Sequence, residues 1–318
     1  MGSSHPVTYR GRFAPSPSGP LHFGSLVAAV ASYADARNQG GDWLVRIEDV
    51  DQQRTVPGAD RQILSTLEAF GLHWDGPVLY QSQRSEHYEA ALAQLRRAGC
   101  CYPCACTRRE IAASGALGPE GPIYSGRCRS GLPAGSDPRS ERLRVEPVWL
   151  QVEDRIQGSV CQNLATEVGD FVLRRADGFH AYQLAVVVDD AAQQINQVVR
   201  GADLLSSTPR QIYLQQRLGL PQPRYAHLPL ALDAAGRKLS KGLASAPVDP
   251  RDPIAGLERA WCFLGQPPLP EPSTDVSHFW QQAIPRWRVD AIPRAAQRLG
   301  VGDTGKGIST RNRLSSTP

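Results

Sequence analysis

The sequence predicts an α/β fold in two halves, with an insertion between them and a short helical part at the end. Three observations carry this reading. Residues 9–47 run strand, helix, strand. Periodicity fades between residues 100 and 147, where Cys, Gly, Pro and Arg gather. Regular patterns return from residue 170, and beyond 245 only short helical patches remain in Pro-rich chain.

The first strand, residues 9–13, ends at a Pro/Ser/Gly loop. A helix then runs from near His22 to about Asn38, with Leu26, Val30 and Tyr33 on one face, and Gly40-Gly41 stops it. Residues 43–47 form the next strand, with Glu48-Asp49 at its carboxyl end. In such a βαβ unit, ligands sit at the carboxyl ends of the strands. Pro57 opens a second helix, with Ile63, Leu64, Leu67 and Phe70 inward and Gly71 as its stop. Ser85 is expected to cap a third that ends at Gly99. Past the insertion, residues 170–174 and 184–188 read as two strands of a hairpin turning at Asp177-Gly178. Residues 195–200 form another strand. Thr208-Pro209-Arg210-Gln211 reads as an N-cap, a Pro at the first helical position and a Gln at the third, opening a helix that ends at Gly219. A short strand at 227–232 leads to a polar turn at 233–236. A helical patch surrounds 254–263, and the last fifteen residues are polar and expected to be disordered. No internal repeat is visible.

A chain of 318 residues has room for two domains, or for one with an insertion. An apolar content of 41% supports a real core and argues against wholesale disorder. The net charge of +4 permits a nucleic-acid partner without demanding one. No apolar run approaches a membrane span, so no membrane partner is expected. The apolar run 26–31 follows Arg10 and Arg12, but Pro15, Pro17, Gly19, Pro20 and His22 intervene, so a cytoplasmic protein is expected rather than an exported one. Five of the seven cysteines fall between Cys100 and Cys128, which suggests a metal and not a disulfide framework. Cys161 and Cys262 stand alone and are expected in the core.

Two strings carry the chemistry. The chain has three lysines, and two of them lie in Lys238-Leu239-Ser240-Lys241-Gly242. Apart from Lys306, Arg serves everywhere else, so a compact ammonium on a flexible stem is wanted there, as for holding a phosphate. The other string, residues 12–25, delivers His22, Gly24 and Ser25 onto the first turn of a helix. A helix N-terminus attracts phosphate, and Gly24 lets a flat base approach the backbone. Together His22-Phe23-Gly24-Ser25 and the lysine string resemble the paired HIGH and KMSKS signatures of class I aminoacyl-tRNA synthetases. Ser25 replaces the second His of the first, and Gly242 the last Ser of the second.

The resemblance widens through Arg12-Phe13-Ala14-Pro15-Ser16, Arg46-Ile47-Glu48-Asp49, Val187-Val188-Asp189-Asp190 and Arg200-Gly201-Ala202-Asp203, which are similar to the glutamyl branch. It covers roughly residues 8 to 245. The chain is too short for the large helical anticodon-binding region of a full glutamyl-tRNA synthetase. In length, in its Cys-x-Cys…Tyr-x-x-x-Cys insertion and in residues 203–211 it resembles the truncated glutamyl-Q tRNA(Asp) synthetases.

The resemblance implies a Rossmann-type class I catalytic domain. It divides into a first half over 1–99, a zinc-bearing insertion of acceptor-binding type over 100–165, a second half over 166–245, and a short helical C-terminal region with a disordered tail over 246–318. It implies activation of L-glutamate by ATP, with Mg²⁺ on the phosphates, and transfer to the queuosine of tRNA(Asp). His22 and Lys241 would stabilise charge in the transition state. His22, Gly24, Ser25, Lys238 and Lys241 would bind ATP. Arg12, Ser16, Glu48, Tyr182 and Arg200 would hold glutamate. Two Arg forks suit a dicarboxylate, Glu48 suits its ammonium and Tyr182 offers a neutral donor. The competing view makes Arg12 and Arg200 partners of Glu48, Asp189 or Asp190 in structural ion pairs. A monomer is expected. The rival functions are a shortened synthetase charging tRNA 3′ ends, a silent tRNA-binding paralogue and a small-molecule adenylylating enzyme.

Cys104, Cys106 and Cys128 offer three thiolates to one tetrahedral ion, best Zn²⁺, one per chain and structural. The resemblance points to Tyr124 as the fourth ligand. Cys101 competes on chemistry alone.

Overall fold

The computed structural model describes residues 8–113, 116–119, 121–232, 247–295 and 297–299. The lysine string, the polar turn before it and the C-terminal tail lie outside these.

Strand β1 (Arg10–Phe13) leads through the Pro/Ser/Gly loop into helix α1 (Phe23–Asn38). Strands β2 (Asp42–Ile47) and β3 (Leu79–Tyr80) flank helix α2 (Ala59–Ala69). β1, β2 and β3 form a parallel sheet in that order. Gly41 sits against the Tyr9 backbone, where a Cβ would lie 2.3 Å from its carbonyl oxygen, so only glycine fits the turn into β2. Helix α3 (Ser85–Arg97) follows. Ser85 is its first residue and not its cap; Arg84 occupies the cap position and makes no side-chain capping bond.

The insertion contains β4 (Cys101–Cys104), α4 (Arg108–Ala113), β5 (Leu117–Gly118), β6 (Gly121–Pro122) and β7 (Ser140–Leu143). β4 and β7 pair antiparallel. Next come β8 (Trp149–Asp154), β9 (Gly158–Asn163), the short α5 (Leu164–Glu167) and β10 (Val172–Arg174), which pairs with β7. The β8–β9 hairpin falls within the stretch 100–165, yet β8 pairs with a strand of the second half. That stretch therefore extends the second half's sheet as well as carrying the cysteines.

Residues 184–188 form no strand. They lie in α6 (Tyr182–Ala192), buried on nearly every side. A buried apolar run carries no periodicity that separates strand from helix. The turn at Asp177-Gly178 is real, but it is closed by a single bridge between Arg174 and His180. β11 (Gln197–Gly201) passes through a 3₁₀ segment directly into α7 (Thr208–Leu218). Thr208 is thus inside a helical run; Ser207 holds the cap position, and Thr208 Oγ1 donates to the Leu204 carbonyl. Pro229 divides the next strand into β12 (Arg224–Leu228) and β13 (Leu230–Leu232).

The second sheet runs β11-β12-β8-β9. It adjoins the first through β1, where the Asn196 amide donates to the Arg10 carbonyl at 3.1 Å. The order reverses at this β1/β11 junction, the topological switch point where open α/β sheets bind ligands. Helices α8 (Pro253–Phe263) and α9 (Val276–Ala283) pack Trp261, Phe279 and Trp280 into the core of the first half. Gly256 permits this, since a Cβ there would meet the Phe70 ring at 2.7 Å. β14 (Gln297–Leu299) pairs with β13. Cys161 and Cys262 are exposed and not in the core. β9 turns Cys161 outward, and α8 presents Cys262 on its outer face while Leu257, Ala260, Trp261 and Phe263 go inward.

Candidate active site

A cavity of about 630 Å³ opens at the carboxyl ends of β1, β2 and β11. It is lined by Arg12, Ser16, His22, Gly24, Ser25, Glu48, Tyr182 and Arg200, among others. The expected glutamate residues and the HIGH-like string are thus brought to one wall-to-wall space. Its size suits a small-molecule site.

Each element has a local cause. His22 caps α1: its backbone is extended and its Nδ1 accepts the Ser25 amide at 3.2 Å. The Ser25 hydroxyl lies 3.1 Å from His22 Nε2, so the residue in place of the second His packs on the first. Gly24 faces the same ring, where a Cβ would come within 3.2 Å. The Glu48 amide donates to the Pro15 carbonyl, tying the end of β2 to the loop after β1.

Charge in the cavity wall is arranged unequally. Asp190 Oδ1 accepts from Arg12 Nε at 3.2 Å and Arg46 Nη2 at 2.7 Å. Burial opposes ionisation of Asp190, but these two guanidinium groups outweigh it and hold its carboxyl below the usual range. Arg46 is wholly buried and also stands 3.6 Å from Glu48. Burial pushes the Glu48 carboxyl up while Arg46 and Arg12 pull it back, and its Oε1 has no hydrogen-bond partner among the described residues. Burial and the neighbouring Glu48 raise the Tyr182 phenol, keeping it a neutral donor. Arg12 therefore does make an ion pair. Arg200 makes none among the described residues; it bonds His227 and Thr208, and its Nη1 is buried without a partner.

Arg46, Asp154 and His227 have no assigned role in the sequence reading, whereas Asp190 is the partner that the competing view gives to Arg12. A buried Arg between Val45 and Ile47 was the available signal, since such a charge demands a carboxylate. Lys238 and Lys241 lie outside the described residues. The described chain on either side of them borders the cavity: Leu230 lines it, and Pro247 forms a bridge with His22.

The second cluster lies between β4 and β7. The Sγ atoms of Cys104, Cys106 and Cys128 fall within 4.8 Å of one another. Cys106 and Cys128 are 3.6 Å apart. Tyr124 Oη stands 3.3 Å from Cys104 Sγ and 3.7 Å from Cys106 Sγ, and it accepts the Cys128 amide. A tetrahedral ion with bonds of about 2.3 Å to sulfur needs S···S edges of roughly 3.8 Å, so this donor set fits zinc. Cys101 is not part of it; its thiol donates to Glu141. Burial opposes ionisation of Cys104, but the Tyr124 hydroxyl and Arg142 outweigh it and bring the thiol down to about 7. Arg142 Nε donates to Cys104 Sγ at 3.3 Å, and its guanidinium lies over the Tyr124 ring.

The sequence matches the family "tRNA synthetases class I (E and Q), catalytic domain" over residues 8–250. It is 59% identical over 290 residues to the glutamyl-Q tRNA(Asp) synthetase of Dechloromonas aromatica, covering 90% of this chain and 96% of that one. It is 54% identical to the protein of the same name from Xanthomonas campestris pv. campestris, with 91% and 95% covered. Among solved structures, a glutamate tRNA ligase from Elizabethkingia meningosepticum in complex with its amino acid superposes with a TM-score of 0.74 at 25% identity. That match covers 92% of this chain and 67% of the other. The glutamate-tRNA synthetase of Elizabethkingia anophelis superposes with a TM-score of 0.73 at 26% identity, covering 91% and 67%. The chain belongs to the class I tRNA synthetases of the E and Q branch and, within them, to the glutamyl-Q tRNA(Asp) synthetase family.

Proposed function

We propose that the chain activates L-glutamate with ATP and transfers the glutamyl group to the queuosine base in the anticodon of tRNA(Asp). The observation that carries this is the cavity at the β1/β11 switch point. It gathers two arginines, a buried carboxylate and a neutral phenol beside a phosphate-type helix N-terminus. The relatives' names, at 54–59% identity over nearly the whole chain, support the RNA acceptor.

In the first step a glutamate α-carboxylate oxygen attacks the α-phosphorus of ATP and pyrophosphate leaves. Arg12 and Arg200 hold the carboxylates, and Glu48 holds the ammonium. Ser16 and Tyr182 supply neutral hydrogen bonds. Gly24 and Ser25 bind the nucleotide with Lys238. His22, the N-terminus of α1 and Lys241 stabilise charge that grows on the phosphates. Mg²⁺ carried by ATP supplies further positive charge there. In the second step a hydroxyl of the queuosine cyclopentenediol attacks the activated carbonyl, an ester forms and AMP leaves. No protein nucleophile is needed, because orientation supplies much of the acceleration.

Cys104, Cys106, Cys128 and Tyr124 would hold one structural zinc ion, which shapes the insertion that meets RNA. The domain limits stay at 1–99, 100–165, 166–245 and 246–318, with residues 149–163 shared between insertion and sheet. The protein acts in the cytoplasm as a monomer. Among the described residues no helix is long and apolar enough to cross a membrane.

The test is ATP-dependent transfer of labelled glutamate to purified tRNA(Asp), with and without queuosine. Label only on the queuosine-containing RNA is expected. Equal label on both, or label only on tRNA(Glu), would return the chain to 3′-end aminoacylation.

A further inference from the structure

Arg12 and Arg200 face one cavity but are held differently, and the difference points to residues with no role so far. In the parallel β11–β12 pair, Arg200 and His227 are register partners. β8 lies on the other side of β12, and Asp154 is in register with Tyr225. Arg200, His227 and Asp154 thus form a row across three adjacent strands.

The row has only one consistent proton arrangement. Asp154 Oδ1 accepts the backbone amides of Ile156, Gln157 and His227. Its Oδ2 lies 2.6 Å from His227 Nδ1. Nδ1 therefore carries the proton, donated to this carboxylate, and Nε2 carries the lone pair. Arg200 Nε donates into that lone pair at 3.0 Å. A guanidinium has no acceptor, so the reverse arrangement is excluded. Thr208 Oγ1 takes a second proton, from Arg200 Nη2 at 2.8 Å. Nη1 is left, buried and without a hydrogen-bond partner among the described residues, in a residue that lines the cavity.

We infer that His227, fixed by Asp154, is a positioning residue that orients Arg200 through a neutral acceptor and so leaves its charge for a substrate carboxylate. Arg12, by contrast, spends part of its charge on Asp190. A carboxylate at position 227 would hold Arg200 as firmly but would compete with the substrate. Burial, helped by Arg200, brings the imidazole down to about 4 although Asp154 pulls the other way, so it stays neutral near pH 7.

The inference rests on the proposed role of Arg200 in binding glutamate, and the test separates the two. Asp154→Asn keeps the shape but favours the other imidazole tautomer, which turns an N–H toward Arg200. His227→Gln can still accept from Arg200 Nε. Both are measured by ATP–pyrophosphate exchange, with KM taken separately for glutamate and ATP. The expected result is a glutamate KM raised tenfold or more in Asp154→Asn, with the ATP KM within twofold and a smaller rise in His227→Gln. A fall in kcat alone, an equal rise in both KM values, or no change in either variant would overturn it. If Asp154→Asn does not fold, His227→Ala against His227→Gln makes the same comparison, and equal glutamate KM values would overturn it. An unchanged glutamate KM in Arg200→Gln would instead reject the role of Arg200 itself, and this inference with it.

Discussion

The cavity and the cysteine cluster are both built from buried polar groups, yet they keep their charge in opposite ways. Around the cavity nearly every charge has a protein partner: Asp190 takes Arg12 and Arg46, and Asp189 takes Arg84, Gln81 and Tyr88. Among the described residues lining the cavity, Arg200 Nη1 and Glu48 Oε1 are buried without a hydrogen bond, although Glu48 Oε1 stands 3.6 Å from Arg46. A buried charged group left so incomplete costs several kcal/mol unless something else completes it. Those atoms are the ones that the proposed carboxylate and ammonium of glutamate would complete. The cluster has donors to spare and one cation beside them, Arg142. Ionising three thiols there would put more negative charge in one place than a single guanidinium can offset. The first arrangement suits a small dipolar molecule and the second suits a metal ion.

The largest expected break is on the cavity side. Lys241→Ala should lower adenylate formation by about 10²–10³-fold, in line with removing a group aimed at transition-state charge. Circular dichroism and zinc content should stay as in the parent protein. Near-normal pyrophosphate release would remove Lys241 from the mechanism.

Cys104→Ser should do the reverse. Metal analysis should fall from one zinc per chain toward none, and the thermal midpoint should drop, because loss of a structural metal is among the large destabilising changes. Correctly folded material should keep its glutamate KM, since the cluster takes no part in the first step. Unchanged zinc content would reject the site.

How far each region was legible in the sequence follows from the same contrast. The cluster is local: three thiols and a phenol within 25 residues, visible as spacing. The helix start at His22, Gly24 and Ser25 was equally local, and the structure has it. Missing were the features made by neighbours in space. His227 and Asp154 are 73 residues apart and meet only because β8 pairs with β12. Residues 184–188, the middle of helix α6, read as a strand because the run is buried on most sides. Thr208 was read as a cap because Thr-Pro-x-Gln is a capping sequence, but the preceding 3₁₀ turn already continues into the helix. Cys161 and Cys262 were placed in the core from the habits of lone cysteines, and strand and helix phase put them outside.

The third expectation is a pH dependence. In the unfolded chain His227 titrates near 6.5, and in the folded protein near 4. Above pH 6.5 it is neutral in both states and contributes no slope. Between about 6.5 and about 4 the unfolded chain binds the proton and the folded one does not, so stability falls as pH falls. At about 1.4 kcal/mol per pKa unit the loss approaches roughly 3 kcal/mol at the acid end. His180 is depressed in the same direction by burial, so the informative quantity is a difference. Urea midpoints from pH 7 to 4.5 should fall less steeply in His227→Gln than in the parent. Parallel curves would show that folding does not depress His227, and a steeper fall in the variant would show it protonated in the folded protein, which would sink the neutral-acceptor argument.

The smallest expected effect tests how the cluster tolerates its charge. Three thiolates and a phenolate around Zn²⁺ would carry a net charge of −2 in this largely buried cluster. Among the described residues, Arg142 is the guanidinium that both donates to the Cys104 sulfur and covers the Tyr124 ring. Arg142→Met keeps a stem of similar length but removes the positive charge. Zinc affinity, measured by competition with a chromogenic chelator, should fall about 10–100-fold, as for other outer partners of metal ligands. Tyr124→Phe should cost at least as much if the phenol binds the ion, and Cys101→Ser should change nothing, since that thiol points to Glu141. If Cys101→Ser weakens zinc and Tyr124→Phe does not, the fourth ligand is Cys101. The insertion would then have to rearrange on metal binding, and it would lose its contrast with a cavity already formed without ligand.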